Sequence, residues 1–345
     1  MSGNNPPTLL RAGTEGGKGR AFPGRRVHGT GSKVHGVTRC LLLLAPGCAL
    51  AAALAACTSV GAPATAPTSG AAAAPSASCP PDTGGSGGTS APASDTATNY
   101  LALGDALTVD YQPGHGEDRT GGFVGAVLQD WRCRHPTAQL TNLGCVEEST
   151  SGAVTGGGSG CPHPEGSQLA AALATLRNGG AGLVTVTLGL VDASRCTHAG
   201  PIDPACVANL LSTVEKNMTA LLTQIRTAAP AARIVVLNLY NPLLASAGDP
   251  DAASTQPPQP ASPQLATQSS DMFARLNRTL ASVAANTGAR VADVSGAFAA
   301  TDTTGSPIPV NVQRLCDWTW QCRTGQGIPN DAGYAAIAHA VIATL

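Results

Sequence analysis

From Tyr100 onward the chain alternates between short apolar runs and longer amphipathic stretches. Five runs are almost continuously apolar: residues 100–103, 139–143, 183–188, 233–239 and 290–293. Continuous rather than alternating apolarity predicts strands covered on both faces, as in a parallel sheet. Between them the spacing predicts helices over about 122–134, 167–177, 204–229 and 266–287, and a last one over 331–345. Asp203-Pro204 supplies the third of these with an N-cap and a first-turn proline. Such alternation predicts a three-layer α/β/α domain over 99–345, with about five parallel strands joined by right-handed crossovers. Residues 250–263, rich in Pro, Gln and Ser, read as a surface insertion after the fourth strand.

Ahead of Tyr100 the pattern changes. Arg25, Arg26, Lys33 and Arg39 precede an apolar run over 40–56 that Pro46 and Gly47 interrupt. A membrane span needs ~20 residues, so the run reads as the apolar part of a signal peptide. It ends Leu54-Ala55-Ala56-Cys57, which resembles a bacterial lipobox, whose cysteine is acylated and becomes the new N-terminus. The plainer alternative is an ordinary secretory signal with an incidental cysteine. Residues 1–56 are therefore taken as a leader. From Cys57 to residue 98 the chain is nearly all Ala, Gly, Ser, Thr and Pro. Such a stretch cannot bury enough apolar surface to offset its ordering entropy and predicts a flexible tether.

Charge sharpens this division. The 345 residues sum to −1, but 1–56 carry +6 and the rest −7, with Lys216 the one lysine of the body. A basic leader on an acidic body fits export and offers nothing to a nucleic acid. Eight cysteines follow Cys57. An even number in an exported chain reads as disulfides. Close spacing suggests Cys145–Cys161, Cys196–Cys206 and Cys316–Cys322. That leaves Cys79 and Cys133 as a fourth pair, unless Cys79 is free. No Cys-x-x-Cys and no matching histidine spacing argue for a metal, and no cofactor motif is seen.

The candidate chemistry starts at Tyr100-Leu101-Ala102-Leu103-Gly104-Asp105-Ala106-Leu107, an apolar strand that breaks at Gly-Asp. In open α/β sheets this is where ligands sit. The stretch resembles the first block of the SGNH (GDSL) hydrolase family, Gly-Asp-Ser-Leu. Further matches follow in order: Asn142-Leu143-Gly144-Cys145, Cys161-Pro162 with Gly166-Ser167-Gln168-Leu169, Asp203-Pro204-Ala205-Cys206-Val207, Trp318-Thr319-Trp320 and Asn330-Asp331-Ala332-Gly333-Tyr334. They resemble the Cys-rich, exported esterases and lipases of that family, and imply its flavodoxin-like fold.

In the family a serine attacks an ester carbonyl and a C-terminal histidine takes its proton. The serine amide, a glycine amide and an asparagine side chain hold the oxyanion. Aligned by their neighbours, the serine position is Ala106, the glycine is Gly144, the asparagine is Val191 and the histidine is Ile328. The acid three residues before that histidine is Gly325. A methyl group cannot attack a carbonyl and a sec-butyl group cannot accept a proton. Loss of one oxyanion donor costs ~10²–10³ in rate; in the subtilisin example, loss of nucleophile or base costs roughly 10⁶.

The expectation is therefore a pseudo-esterase. It would be a monomeric lipoprotein attached through Cys57 to the outer face of a bacterial cell membrane. It would bind an acyl or envelope-glycan ligand, or a partner, without cofactor. The alternative is residual hydrolysis by a relocated nucleophile. Thr108, Ser149, Thr150 and Ser151, with His115, His163, His198 and His339, are the candidates. Asp105 and Asp192 read as structural, bonding loop amides, or as retained neighbours of a live site.

Overall fold

The structure, a computed structural model, describes Cys79 and residues 98–157, 161–197, 201–246 and 258–345. The leader, Cys57 and nearly all of the tether lie outside these residues, as do His198 and residues 247–257 of the expected insertion.

The five apolar runs form five strands: β1 (Tyr100–Gly104), β2 (Leu140–Asn142), β3 (Leu183–Thr187), β4 (Arg233–Leu237) and β5 (Arg290–Ala292). All neighbours pair in parallel, in the order β2-β1-β3-β4-β5. The chain steps one way from β1 to β2, then returns past β1 to β3. That reversal opens a crevice at the carboxyl ends of β1 and β3.

Both faces of the sheet are covered, which is why its longer strands are mostly apolar and even the polar Thr185 and Thr187 of β3 are buried. Leu101, Leu103, Val184, Val186, Ile234 and Val236 face one core. Tyr100, Ala102, Leu183, Val235, Leu237 and Ala292 face the other. The first face is covered by α3 (Gln168–Gly179), α5 (Pro204–Ala228) and α6 (Pro263–Asn286). The second is covered by α1 (Gly122–Arg134) and α10 (Asp331–Ile342). The result is a three-layer α/β/α fold. Each fully enclosed Leu or Met, such as Leu221, Leu276 or Met218, contributes about 1.5–3 kcal/mol by leaving water.

The helix ends follow local chemistry. The Asp203 carboxylate accepts from the Ala205 and Cys206 amides at the start of α5. α6 begins three residues earlier than its apolar pattern suggests, because Ser262 caps it and Pro263 occupies its first turn. Residues 258–262 are therefore an approach to α6, tied down by Ala261 N–H to Leu244 O (2.9 Å) and Ser246 N–H to Gln259 O (2.9 Å). At the other end α10 stops at Ile342, short of residue 345.

Five short helices have no clear sequence signal. They are α2 (Thr150–Thr155), α4 (Leu190–Ser194), α7 (Val294–Ala297), α8 (Val310–Trp318) and α9 (Gln321–Thr324). Four of them are four to six residues long, too short for a 3.6-residue period to show.

Four disulfides close the domain: Cys79–Cys133, Cys145–Cys161, Cys196–Cys206 and Cys316–Cys322. They point to an exported protein. Among the described residues no helix is long and apolar enough to cross a membrane.

Candidate functional site

β1 ends at Gly104, where φ is +149° and a Cβ would run into Thr108 Oγ1 and the Thr187 carbonyl. Only glycine fits so close an approach. Its carbonyl accepts the Cys145 amide at 3.0 Å and the Gln168 side-chain amide at 2.9 Å. Gln168 also donates to Leu143 O at 2.9 Å, so α3 ties the ends of β1 and β2 together. Sequence reasoning marked Gln168 only as part of a motif; its burial is the reason it matters.

Asp105 follows, 1 % exposed. Its backbone N–H donates to Thr187 O at 3.1 Å, and its Oδ1 accepts from the Leu107 amide at 3.1 Å. Its Oδ2 has no partner among the described residues. Burial pushes the carboxyl up from 3.8 to about 7; the Leu107 amide pulls it back, and the nearby Asp192 and Glu148 charges add a little upward push. Glu148, also 1 % exposed, is a buried acid that no sequence motif singles out.

Ala106 is 7 % exposed. Its carbonyl accepts from Tyr111 N–H at 3.1 Å and from the Tyr334 hydroxyl at 3.5 Å. The turn is thus held down by α10, and burial raises the Tyr334 hydroxyl's pKa.

Gly144 has a packing reason to be glycine, since a Cβ would come within 2.7 Å of Thr108 Cβ and 2.9 Å of Val109 Cγ1. Its amide, one of the two expected backbone oxyanion donors, donates to Asn142 Oδ1 at 3.0 Å. Arg119 holds its carbonyl at 2.7 Å.

The third expected block starts at Gly189, left-handed at φ +117°, and continues into α4. Val191 is half-buried there. Asp192 is buried and accepts from Thr150 N–H (2.9 Å) and Oγ1–H (2.8 Å), locking α4 to α2. Asn217 of α5 extends the network to Thr150 and Ser151. These bonds give Asp192 a structural role.

Ile328 is half-buried beyond α9. Its carbonyl accepts from Trp320 N–H at 2.9 Å, and Tyr240 O–H donates to the adjoining Gly327 O. Gly325 is the left-handed cap of α9, at φ +74°. Ile328 joins Leu190, Ala193, Leu243 and Phe273 in lining a cavity of about 200 Å³. Neither Ala106 nor Val191 is part of that lining. Of the three replaced positions, then, the cavity gathers one.

The alternative hydroxyls are committed elsewhere. Thr108 is buried and donates to Leu103 O at 3.3 Å. Ser149 caps α2 through the Gly152 amide. His115 and His339 are exposed. His163 is half-buried, its pKa lowered mainly by burial, with the Arg119 charge adding to this and Glu165 opposing it. Among the described residues no hydrogen bond links any of these histidines to Thr108, Ser149, Thr150 or Ser151. Nor does any group of three or more His, Cys, Asp or Glu side chains there suit a metal ion.

A doubly wound parallel sheet whose first strand breaks at Gly-Asp beside the switch point defines the α/β class that places its ligands in this crevice. A sequence profile of the GDSL-like lipase/acylhydrolase family matches residues 102–336, and the chain belongs to that family. No curated protein sequence matches the chain. Among solved structures it is similar to the lipase Lip_vut3 from a goat rumen metagenome, with 19% identity and a TM-score of 0.46, over 71% of this chain and 96% of that one. Phospholipase A1 from Streptomyces albidoflavus NA297 has 19% identity and a TM-score of 0.44, over 72% and 98%. The extracellular lipase of Streptomyces rimosus has 20% identity and a TM-score of 0.42, over 72% and 99%.

The raised Asp105 pKa makes a stability prediction. The folded state binds this proton more tightly than the unfolded chain does. The contribution is therefore full below about 4 and is lost as the pH rises through about 7. The domain should be less stable at pH 8 than at pH 5 by about 2 kcal/mol from this group. Asp105→Asn should flatten that slope in urea titrations, and an unchanged slope would refute the assignment.

Proposed function

We propose that this GDSL-family domain has given up ester hydrolysis and binds a short acyl chain. The observation that carries the reading is that Ile328, aligned with the family's catalytic histidine, instead lines an apolar cavity with Leu190, Leu243 and Phe273. The losses at Ala106 and Val191 support it, as does the engagement of the Gly144 amide by Asn142. Without nucleophile, base or the asparagine oxyanion donor, the attack and proton-transfer steps of ester cleavage have no side chain to perform them. The rival reading, a relocated nucleophile, gains no support from hydroxyls that are capped, buried or already bonded.

The cavity of about 200 Å³ holds roughly six or seven methylenes, each taken as about the 30 Å³ of a water molecule. Each buried methylene contributes about 0.8 kcal/mol, close to fourfold in affinity. Binding of straight-chain carboxylates, followed by calorimetry, should strengthen about fourfold per carbon and level off near eight carbons. Leu243→Trp should fill the cavity and weaken binding at an unchanged melting temperature. Absence of saturable binding at every chain length would end the proposal.

Attachment through Cys57 would hold this domain at the outer face of the membrane on its tether. Expressed in a bacterial host, the protein should fractionate with membranes, and Cys57→Ala should release it to the soluble fraction. Equal distribution of the two forms would count against the anchor.

A further inference from the structure

A second cavity, of about 370 Å³, opens beyond the carboxyl ends of β4 and β5 and shares Phe273 with the proposed acyl cavity. This volume falls within the range of small-molecule sites, roughly 300–1,000 Å³. Its floor is apolar, from Leu239 and Phe273, and its rim carries the hydroxyls of Ser270, Thr301 and Thr303. Those three residues are exposed, and among the described residues their hydroxyls make no side-chain hydrogen bond. Asp271 is the one charged residue of the lining, and Arg275 lies 3.6 Å from it. No lysine or arginine faces the space.

The rim is held in place before any ligand arrives. Between the two threonines, the Asp302 carboxylate accepts from the Thr304 amide at 3.0 Å and its hydroxyl at 2.6 Å. From α8, Asn311 donates its backbone N–H to Asp302 O at 2.9 Å and its side-chain amide to Ala300 O at 3.3 Å. Both threonine hydroxyls thus stand on a loop pinned from two sides, so little ordering entropy remains to be lost on binding.

We propose that this cavity binds a neutral saccharide. A sugar ring presents several hydroxyls on its rim and a C–H face. The hydroxyls match Ser270, Thr301, Thr303 and the Asp271 carboxylate, which accepts strongly from O–H donors. The C–H face matches Leu239 and Phe273. An anionic ligand would find no lysine or arginine in the lining to pair with, since Arg275 lies outside it and is already paired with Asp271. The site shares only Phe273 with the acyl cavity, and the saccharide reading does not rest on acyl binding there.

The test is saturation-transfer NMR on the full chain with D-glucose, D-galactose, D-mannose and N-acetyl-D-glucosamine. At least one should bind saturably, at roughly millimolar strength. Its 6-phosphate should bind roughly tenfold or more weakly. Thr301→Val with Thr303→Val, which keeps shape and removes two hydroxyls, should weaken binding roughly tenfold. Ala274→Phe, at an exposed position of the same lining, should abolish it with the melting temperature unchanged. Carboxylate binding in the neighbouring cavity should survive both changes. No saturable signal from any of the four sugars, equal binding of the phosphate, or wild-type binding by both variants would each overturn the proposal.

Discussion

The chain can leave β1 only because residue 104 has no side chain. Gly104 turns where a Cβ would meet Thr108 and the Thr187 carbonyl, and its own carbonyl gathers donors from Cys145 and Gln168. Three elements meet at that one peptide: β1, the loop after β2 and the first turn of α3. Asp105 is carried straight into the interior by the same turn, with its Oδ1 on the Leu107 amide. The local geometry that a nucleophile would need is thus kept by backbone packing, whether or not a nucleophile stands at position 106. That explains how Ala106 can sit in an otherwise intact turn: nothing in the hydrogen bonding of this turn calls on the side chain at that position.

The remaining positions follow the same logic. Gly144 is fixed by its contact with Thr108 and Val109, Asp192 by the α2–α4 junction, and Gly325 by the left-handed cap of α9. Each has a structural reason independent of chemistry. Val191 and Ile328 have no such bonds through their side chains, and both are apolar. At Ala106, Val191 and Ile328, which the proposed reading aligns with the family's reactive and polar groups, the side chains are apolar.

The sheet was legible because its strands are short, buried on both faces and rich in β-branched residues, as in Leu183–Thr187 with Val184, Thr185, Val186 and Thr187. The long helices were legible for the opposite reason, a polar face over a 3.6-residue period. α5 announced itself through Asp203 and Pro204, whereas α6 began earlier than its apolar pattern, under Ser262 and Pro263. The short helices α2 and α4 were not legible, since they are held by contacts between residues distant in sequence, Asp192 with Thr150 and Asn217 with Thr150 and Ser151, rather than by a local pattern. At the site, motif order is what aligns Ala106, Val191 and Ile328 with the family's serine, asparagine and histidine. That Gly144 donates to Asn142, and that Ile328 but not Ala106 borders the apolar cavity, depends on contacts distant in sequence.

The central claim is that an intact scaffold holds an emptied site, and ester hydrolysis tests it most directly. Purified protein would be assayed on short- and medium-chain p-nitrophenyl esters beside the triple variant Ala106→Ser, Val191→Asn, Ile328→His. The account predicts no hydrolysis above background by the natural chain and measurable turnover by the variant. Clear turnover by the natural chain, unaffected at these three positions, would contradict it and place the chemistry elsewhere in the molecule.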